Sequence, residues 1–75
     1  MTSTQQYRNV RAEMMRAGVT NEMIANIEKV TPIYVTYVVT NRRQGYRIRR
    51  AIAAACNKRV VDLWPDTPIE HREAA

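Results

Sequence analysis

The sequence predicts an all-α domain of four to five short helices, two of them joined by a tight turn. Three observations carry that expectation. Apolar residues recur at helical spacing, as in Tyr7, Val10 and Met14 at i, i+3, i+7. Glycine, threonine and proline punctuate the segments as stop and start signals at Gly18, Thr20 and Thr31-Pro32. A chain of 75 residues also has room for one core only, near the size at which a single apolar core just sustains folding.

The first helix is expected over about Thr4–Ala17, ended by Gly18 in a left-handed conformation. Thr20 caps a second helix, with Glu22 in its first turn complementing the dipole and Met23, Ile24 and Ile27 as its apolar side. That helix ends near Glu28–Lys29. Thr31 then caps a third, and Pro32 fits its first position because the missing N–H would be unbonded there. The segment Ile33–Thr40 is rich in β-branched and aromatic residues, and propensity alone favours a strand. The start signal and the spacing of Val35, Val38 and Val39 at i, i+3, i+4 favour a helix. After a loop at Asn41–Gly45, a fourth helix over Tyr46–Cys56 presents Ile48, Ala51, Ile52 and Ala55 as a core stripe. Asn57 suits a left-handed cap. A short fifth helix over Arg59–Leu63 delivers Val60, Leu63 and Trp64 to the core, and Pro65 ends it. Residues 1–65 are therefore expected to form the domain, and residues 66–75 a polar, acidic and loose tail.

The composition, 45% hydrophobic and 25% charged, is that of a globular chain. The N-terminal MTSTQQYRNV has no apolar run that would suggest a signal peptide or membrane span, so a cytoplasmic protein is expected. One cysteine, Cys56, excludes an internal disulfide framework and a cysteine-clustered zinc site. The net charge of +5 is unevenly spread. Residues 1–41 balance at +1 and residues 60–75 at −3, whereas residues 42–59 hold seven cations and no acid. Ten of the twelve cations are arginine, which grips phosphate through two parallel hydrogen bonds. Such a patch fits either a solvated basic surface or a phosphate-binding footprint.

With Val35, Val38 and Val39 turned inward, the third helix carries Ile33, Thr36, Tyr37 and Thr40 on its opposite stripe. A DNA major groove offers thymine methyls to the isoleucine and threonine methyls, and base-edge partners to the hydroxyls. The alternative is burial of Ile33 and Tyr37 against another part of the fold or a partner chain. Arg42, Arg43 and Arg47 crowd the start of the fourth helix, where the dipole disfavours cations, so phosphate contact is the better reason for them. Arg49 and Arg50 are placed on a solvated helix face, as bystanders or as further phosphate contacts. Trp64 is expected as a core plug, Cys56 as a small hydrophobe, Met14, Met15 and Met23 as core filling, and His71 as an isolated tail residue. No glycine-rich phosphate loop and no carboxylate pair with a base or nucleophile stands in the sequence, so no enzymatic activity and no cofactor are expected.

On these residues the chain resembles the λ-repressor-like helix-turn-helix regulators of the Cro/Xre group, and within it the small phage regulators of the Ner type. The resemblance spans about Val10–Pro65. It rests on Gly18-Val19-Thr20, on Ala25 where two helices cross, and on Ile24, Val30, Val35 and Val38 at core positions. Thr31-Pro32 opens the recognition helix, and VVDLWP at Val60–Pro65 is similar to the family's closing segment. Two positions depart from the pattern. Lys29 stands where the turn usually has glycine, and Glu28 where an apolar residue is usual, with Ile27 as the residue expected to take over its packing.

The resemblance implies that the second helix braces on the DNA backbone while the third enters the major groove. It places Thr31, Pro32, Ile33, Thr36, Tyr37 and Thr40 toward the bases, and Asn21, Arg42 and Arg43 on the backbone; the charge argument adds Arg47. The implied function is a sequence-specific regulator of transcription, a phage or prophage repressor acting by promoter occlusion. Its partner would be double-stranded DNA, bound as a homodimer at the nucleoid, with no small-molecule ligand and no membrane. The alternative is a protein-interaction module on the same scaffold, associated with a recombinase or polymerase and binding DNA only non-specifically.

Overall fold

In the computed structural model the end of the first helix and the starts of the next two fall on local signals in the sequence. The structure describes residues 2–72, with side chains from residue 7 onward. Helix α1 runs Thr2–Ala17 and stops at Gly18, whose φ of 69° is the left-handed value expected of it. Helix α2 spans Asn21–Glu28, with the Thr20 hydroxyl accepting from Met23 N at 3.2 Å. Helix α3 spans Pro32–Val39, and Thr31 accepts from Tyr34 N at 3.2 Å. Helix α4 runs Tyr46–Ala55 and α5 Val60–Leu63, followed by a 3-10 turn at Ile69–His71.

Segment 33–39 is therefore helix, not strand, with Thr40 as its C-cap. Its N-cap fixes the first turn, and helical spacing then brings Val35, Val38 and Val39 to 0, 0 and 2% exposure. Burying one such side chain contributes about 1.5–3 kcal/mol, which outweighs the few tenths lost to a β-branched residue in a helix.

Lys29 ends α2 at φ 59°, ψ 47°, with its N–H donating to Ala25 O. The turn thus takes the left-handed form usual for glycine, with a lysine in its place. The Lys29 side chain makes this cost on the order of 1 kcal/mol. At the start of α4 a glycine is required. Gly45 has φ 42°, and a Cβ there would lie 2.5 Å from Val38 Cγ2.

The core joins Val10 and Met14 of α1, Ile24 and Ala25 of α2 and the three valines of α3. Ile48, Ile52 and Ala53 of α4, with Val60, Leu63 and Trp64, complete it. Several sequence expectations shift here. In α2 the buried pair is Ile24 and Ala25, while Met23 and Ile27 are 46 and 65% exposed. Ile27 has not taken over the packing of position 28. In α4 Ala53 is buried and Ala55 exposed, so the stripe is turned by about one residue. Met14 is core, but Met15 is exposed.

The segment expected to be loose after Pro65 is packed as far as residue 72. Thr67 is 1% exposed and donates to Trp64 O at 2.7 Å, while Arg72 Nε donates to Thr67 O at 2.9 Å. His71, expected to stand alone, stacks on Tyr46 with ring centroids 4.0 Å apart. The packed unit therefore extends beyond the boundary expected at residue 65; residues 73–75 of that tail lie outside the described ones. The described residues contain five α-helices and no strand in a body of 29 × 26 × 22 Å. None of these helices is long and apolar enough to cross a membrane.

Candidate nucleic-acid interface

Helix α2 packs more extensively on α3 than on any other element, with Ala25 buried. This fixes which side of α3 remains open. Opposite its buried valines lie Ile33, 64% exposed, and Tyr37, 37% exposed, with Thr31 and Pro32 open at the N-terminal end. Ile33, Thr36, Tyr37 and Thr40 share this side of the helix, as their spacing requires.

The threonine hydroxyls on that stripe are already engaged. Thr36 Oγ1 donates to Pro32 O at 3.1 Å and accepts from Asn21 Nδ2 at 2.9 Å. Thr40 Oγ1 donates to Thr36 O at 2.9 Å. Threonine in a helix commonly turns its proton back to a carbonyl one turn earlier, so neither proton is free for a base edge. Thr31 differs: its Oγ1 accepts from Tyr34 N as the cap, which leaves its proton to donate elsewhere. The presented groups are the Ile33 side chain, the Tyr37 phenol, the ring of Pro32 and the Thr31 hydroxyl. Asn21 holds α2 to α3 through one amide hydrogen, which leaves its second hydrogen for another acceptor.

Two arginines follow directly. The backbone N–H groups of Arg42 and Arg43 both donate to Tyr37 O, at 2.8 and 3.1 Å. That closes the end of α3 and throws both side chains outward. With Tyr37 they line a depression of about 230 Å³. No ion pair among the described residues involves either guanidinium.

Arg47 is placed differently. Its Nε lies 2.9 Å from Glu28 Oε1, and its Nη2 donates to Glu28 O at 2.8 Å. It thus satisfies a carbonyl left open at the end of α2, and explains how an acid is tolerated at position 28. Arg47 lines a separate cleft of about 560 Å³ with Val30, Thr31, Tyr34, Gly45, Tyr46 and Ile48. The structure therefore does not group it with Arg42 and Arg43.

Arg49, expected on a solvated face, is 1% exposed. Its Nη1 donates to Thr67 Oγ1 and its Nη2 to Asn41 Oδ1, each at 2.9 Å, with Asp66 Oδ1 at 3.7 Å. Burial lowers its pKa from the usual arginine value, and the nearby Asp66 carboxylate partly opposes that. Its guanidinium lies over the rings of Tyr46 and Trp64 at 5.4 and 5.5 Å. Arg50, half-buried, reaches His71 O at 3.5 Å. Sequence reasoning missed Arg49 because the α4 stripe was centred one residue off. A wheel containing 49, 52, 53 and 56 would have placed it inward, and Thr67 and Asp66 are the polar partners such an arginine needs. Burial also pushes the Cys56 thiol up, which keeps it protonated and unreactive at neutral pH.

Comparison with protein-family models, with curated proteins and with solved structures gives no match in any of the three.

Proposed function

We propose that the chain is a helix-turn-helix protein that binds duplex DNA in a sequence-dependent way, with α2 and α3 as the motif and α3 in the major groove. The observation that carries this is an exposed isoleucine and tyrosine on α3 running directly into two arginines that form no ion pair among the described residues. Apolar groove contacts select thymine methyls, and arginines on adjacent phosphates fix register. Lys29 and the second amide hydrogen of Asn21 stand ready for the flanking backbone. Binding as a homodimer to paired half-sites would make the protein a repressor that occludes a promoter, the function implied by the resemblance to Cro/Xre and Ner-type regulators.

The base-selecting role falls on Ile33 and Tyr37, because the Thr36 and Thr40 protons are held within the helix. Selection of bound duplexes from a random library at near-physiological salt tests this. Convergence on a motif with two half-sites about 10 base pairs apart is expected. Ile33→Ala should change which duplexes are retained, whereas Arg43→Ala should weaken all of them alike. A library that returns no motif would overturn sequence-specific binding.

A second function has its own support. Met23 and Ile27 are exposed on α2, and with Ile33 they offer apolar anchors to a protein partner. A recombinase- or polymerase-associated module would use them and bind DNA only through charge. Its complex would persist at salt concentrations that dissociate the DNA complex, since each neutralised phosphate adds roughly −0.9 to the slope of log affinity against log salt.

A further inference from the structure

Phosphate binding gives no reason to bury a cation, yet Arg49 is 1% exposed. Its terminal nitrogens hold two separate segments. Nη1 grips Thr67, in the stretch after α5, and Nη2 grips Asn41, the first residue of the loop that carries Arg42 and Arg43. The guanidinium is planar and its donors diverge at fixed angles. The Trp64 and Tyr46 rings, 5.5 and 5.4 Å away, hold it in place. Both partners are thus set at defined positions relative to α4.

Asn41 needs such a grip. It takes φ 66°, and its N–H donates to Val38 O at 3.1 Å. The arginines that follow are tied to α3 only by backbone N–H groups donating to Tyr37 O. Among the described residues, the Arg49–Asn41 bond is the only side-chain hydrogen bond that residues 41–45 make.

We infer that Arg49 is a positioning residue for DNA binding: through Asn41 it sets the direction in which Arg42 and Arg43 leave α3, and through Thr67 it makes that direction depend on the docked 64–72 segment. This rests on the duplex-binding function proposed above. Arg49 touches no DNA; it acts through Asn41. The segment after α5, which carries the acids Asp66 and Glu70, thereby contributes to the binding loop through one shared guanidinium.

The test uses the full chain and three variants. Asn41→Gly keeps the left-handed backbone without strain and removes the side chain, and with it the Oδ1 acceptor. Asn41→Asp keeps both the acceptor and tolerance of that conformation. Arg42→Ala with Arg43→Ala removes the contacts themselves. Amide hydrogen exchange at residues 42 and 43 reads loop order without DNA, and salt titration against a random-sequence duplex reads phosphate contacts. In Asn41→Gly the two amides should exchange faster, and the slope of log affinity against log salt should flatten by up to about 1.8, two phosphates at roughly 0.9 each. Asn41→Asp should retain amide protection. Adding Asn41→Gly to the double arginine variant should change the slope no further. Unchanged exchange in Asn41→Gly would overturn the positioning role whatever DNA does. Faster exchange with an unchanged slope would show that loop order does not matter to binding, and would overturn it as well. A wild-type chain with no salt-dependent binding would instead remove the DNA function, while the exchange result would still report the loop.

Discussion

Arg42 and Arg43 stand four to seven positions from Arg47 and Arg49 in sequence, yet the two pairs are used in opposite ways. The first pair projects from the end of α3 and forms no ion pair among the described residues. The second pair is consumed by the fold, Arg47 at the end of α2 and Arg49 in the interior. A run of like charges is therefore not a run of like sites. What separates the pairs is whether a carbonyl or carboxylate lies within reach when the helices are assembled. Glu28 and Asn41 are within reach of the second pair, and no described acid pairs with the first.

The contrast can be broken at several strengths. The largest effect should come from Trp64→Ala, which removes a fully buried ring that also supports Arg49. A loss of about 3–5 kcal/mol is the scale for such a truncation, comparable with the whole stability of a small domain. Urea unfolding followed by circular dichroism measures it, and a variant as stable as the parent would remove Trp64 from the core. Next, Arg49→Ala gives up two charge-assisted hydrogen bonds at roughly 1.5–3 kcal/mol each, so a loss of about 3 kcal/mol or more is expected. A midpoint unchanged in the same assay would mean that solvent replaces both bonds freely. Arg47→Ala should cost only about 0.2–1 kcal/mol, because the Arg47 side chain is itself 64% exposed. A larger loss would make it a structural residue of the same rank as Arg49. Smallest in stability, Arg42→Ala with Arg43→Ala should stay within about 0.5 kcal/mol of the parent while weakening duplex binding in an anisotropy titration. A marked fall in thermal stability would erase the distinction between the two pairs.

Local signals in the sequence account for much of this fold. Thr20, Thr31-Pro32, Gly18, Gly45 and Asn57 mark helix ends by mechanisms that involve only a few neighbouring residues, and those ends were legible. The exposed Ile33–Tyr37 stripe was legible for the same reason, since it follows from where three valines point. The fate of each arginine was not. It depends on partners 8 to 19 positions away, Asn41 and Thr67 for Arg49 and Glu28 for Arg47, and helical periodicity is silent about contacts at that range. The threonine hydroxyls show the same limit at shorter range. Their residue type suggests base-edge chemistry, but the helix's own carbonyls compete for the protons first. The docking of residues 66–72 is not legible because a polar composition gives no sign of packing; it depends on the buried Arg49 donating to Thr67.

Gly45 has a consequence for how this surface could be altered. Position 45 tolerates no side chain against Val38, and Asn41 is held by Arg49, so the loop is pinned at both ends. Between them Arg42, Arg43 and Gln44 are all exposed. Three consecutive residues on a fixed frame are a natural graft site: their chemistry can be exchanged wholesale while the scaffold beneath keeps its shape.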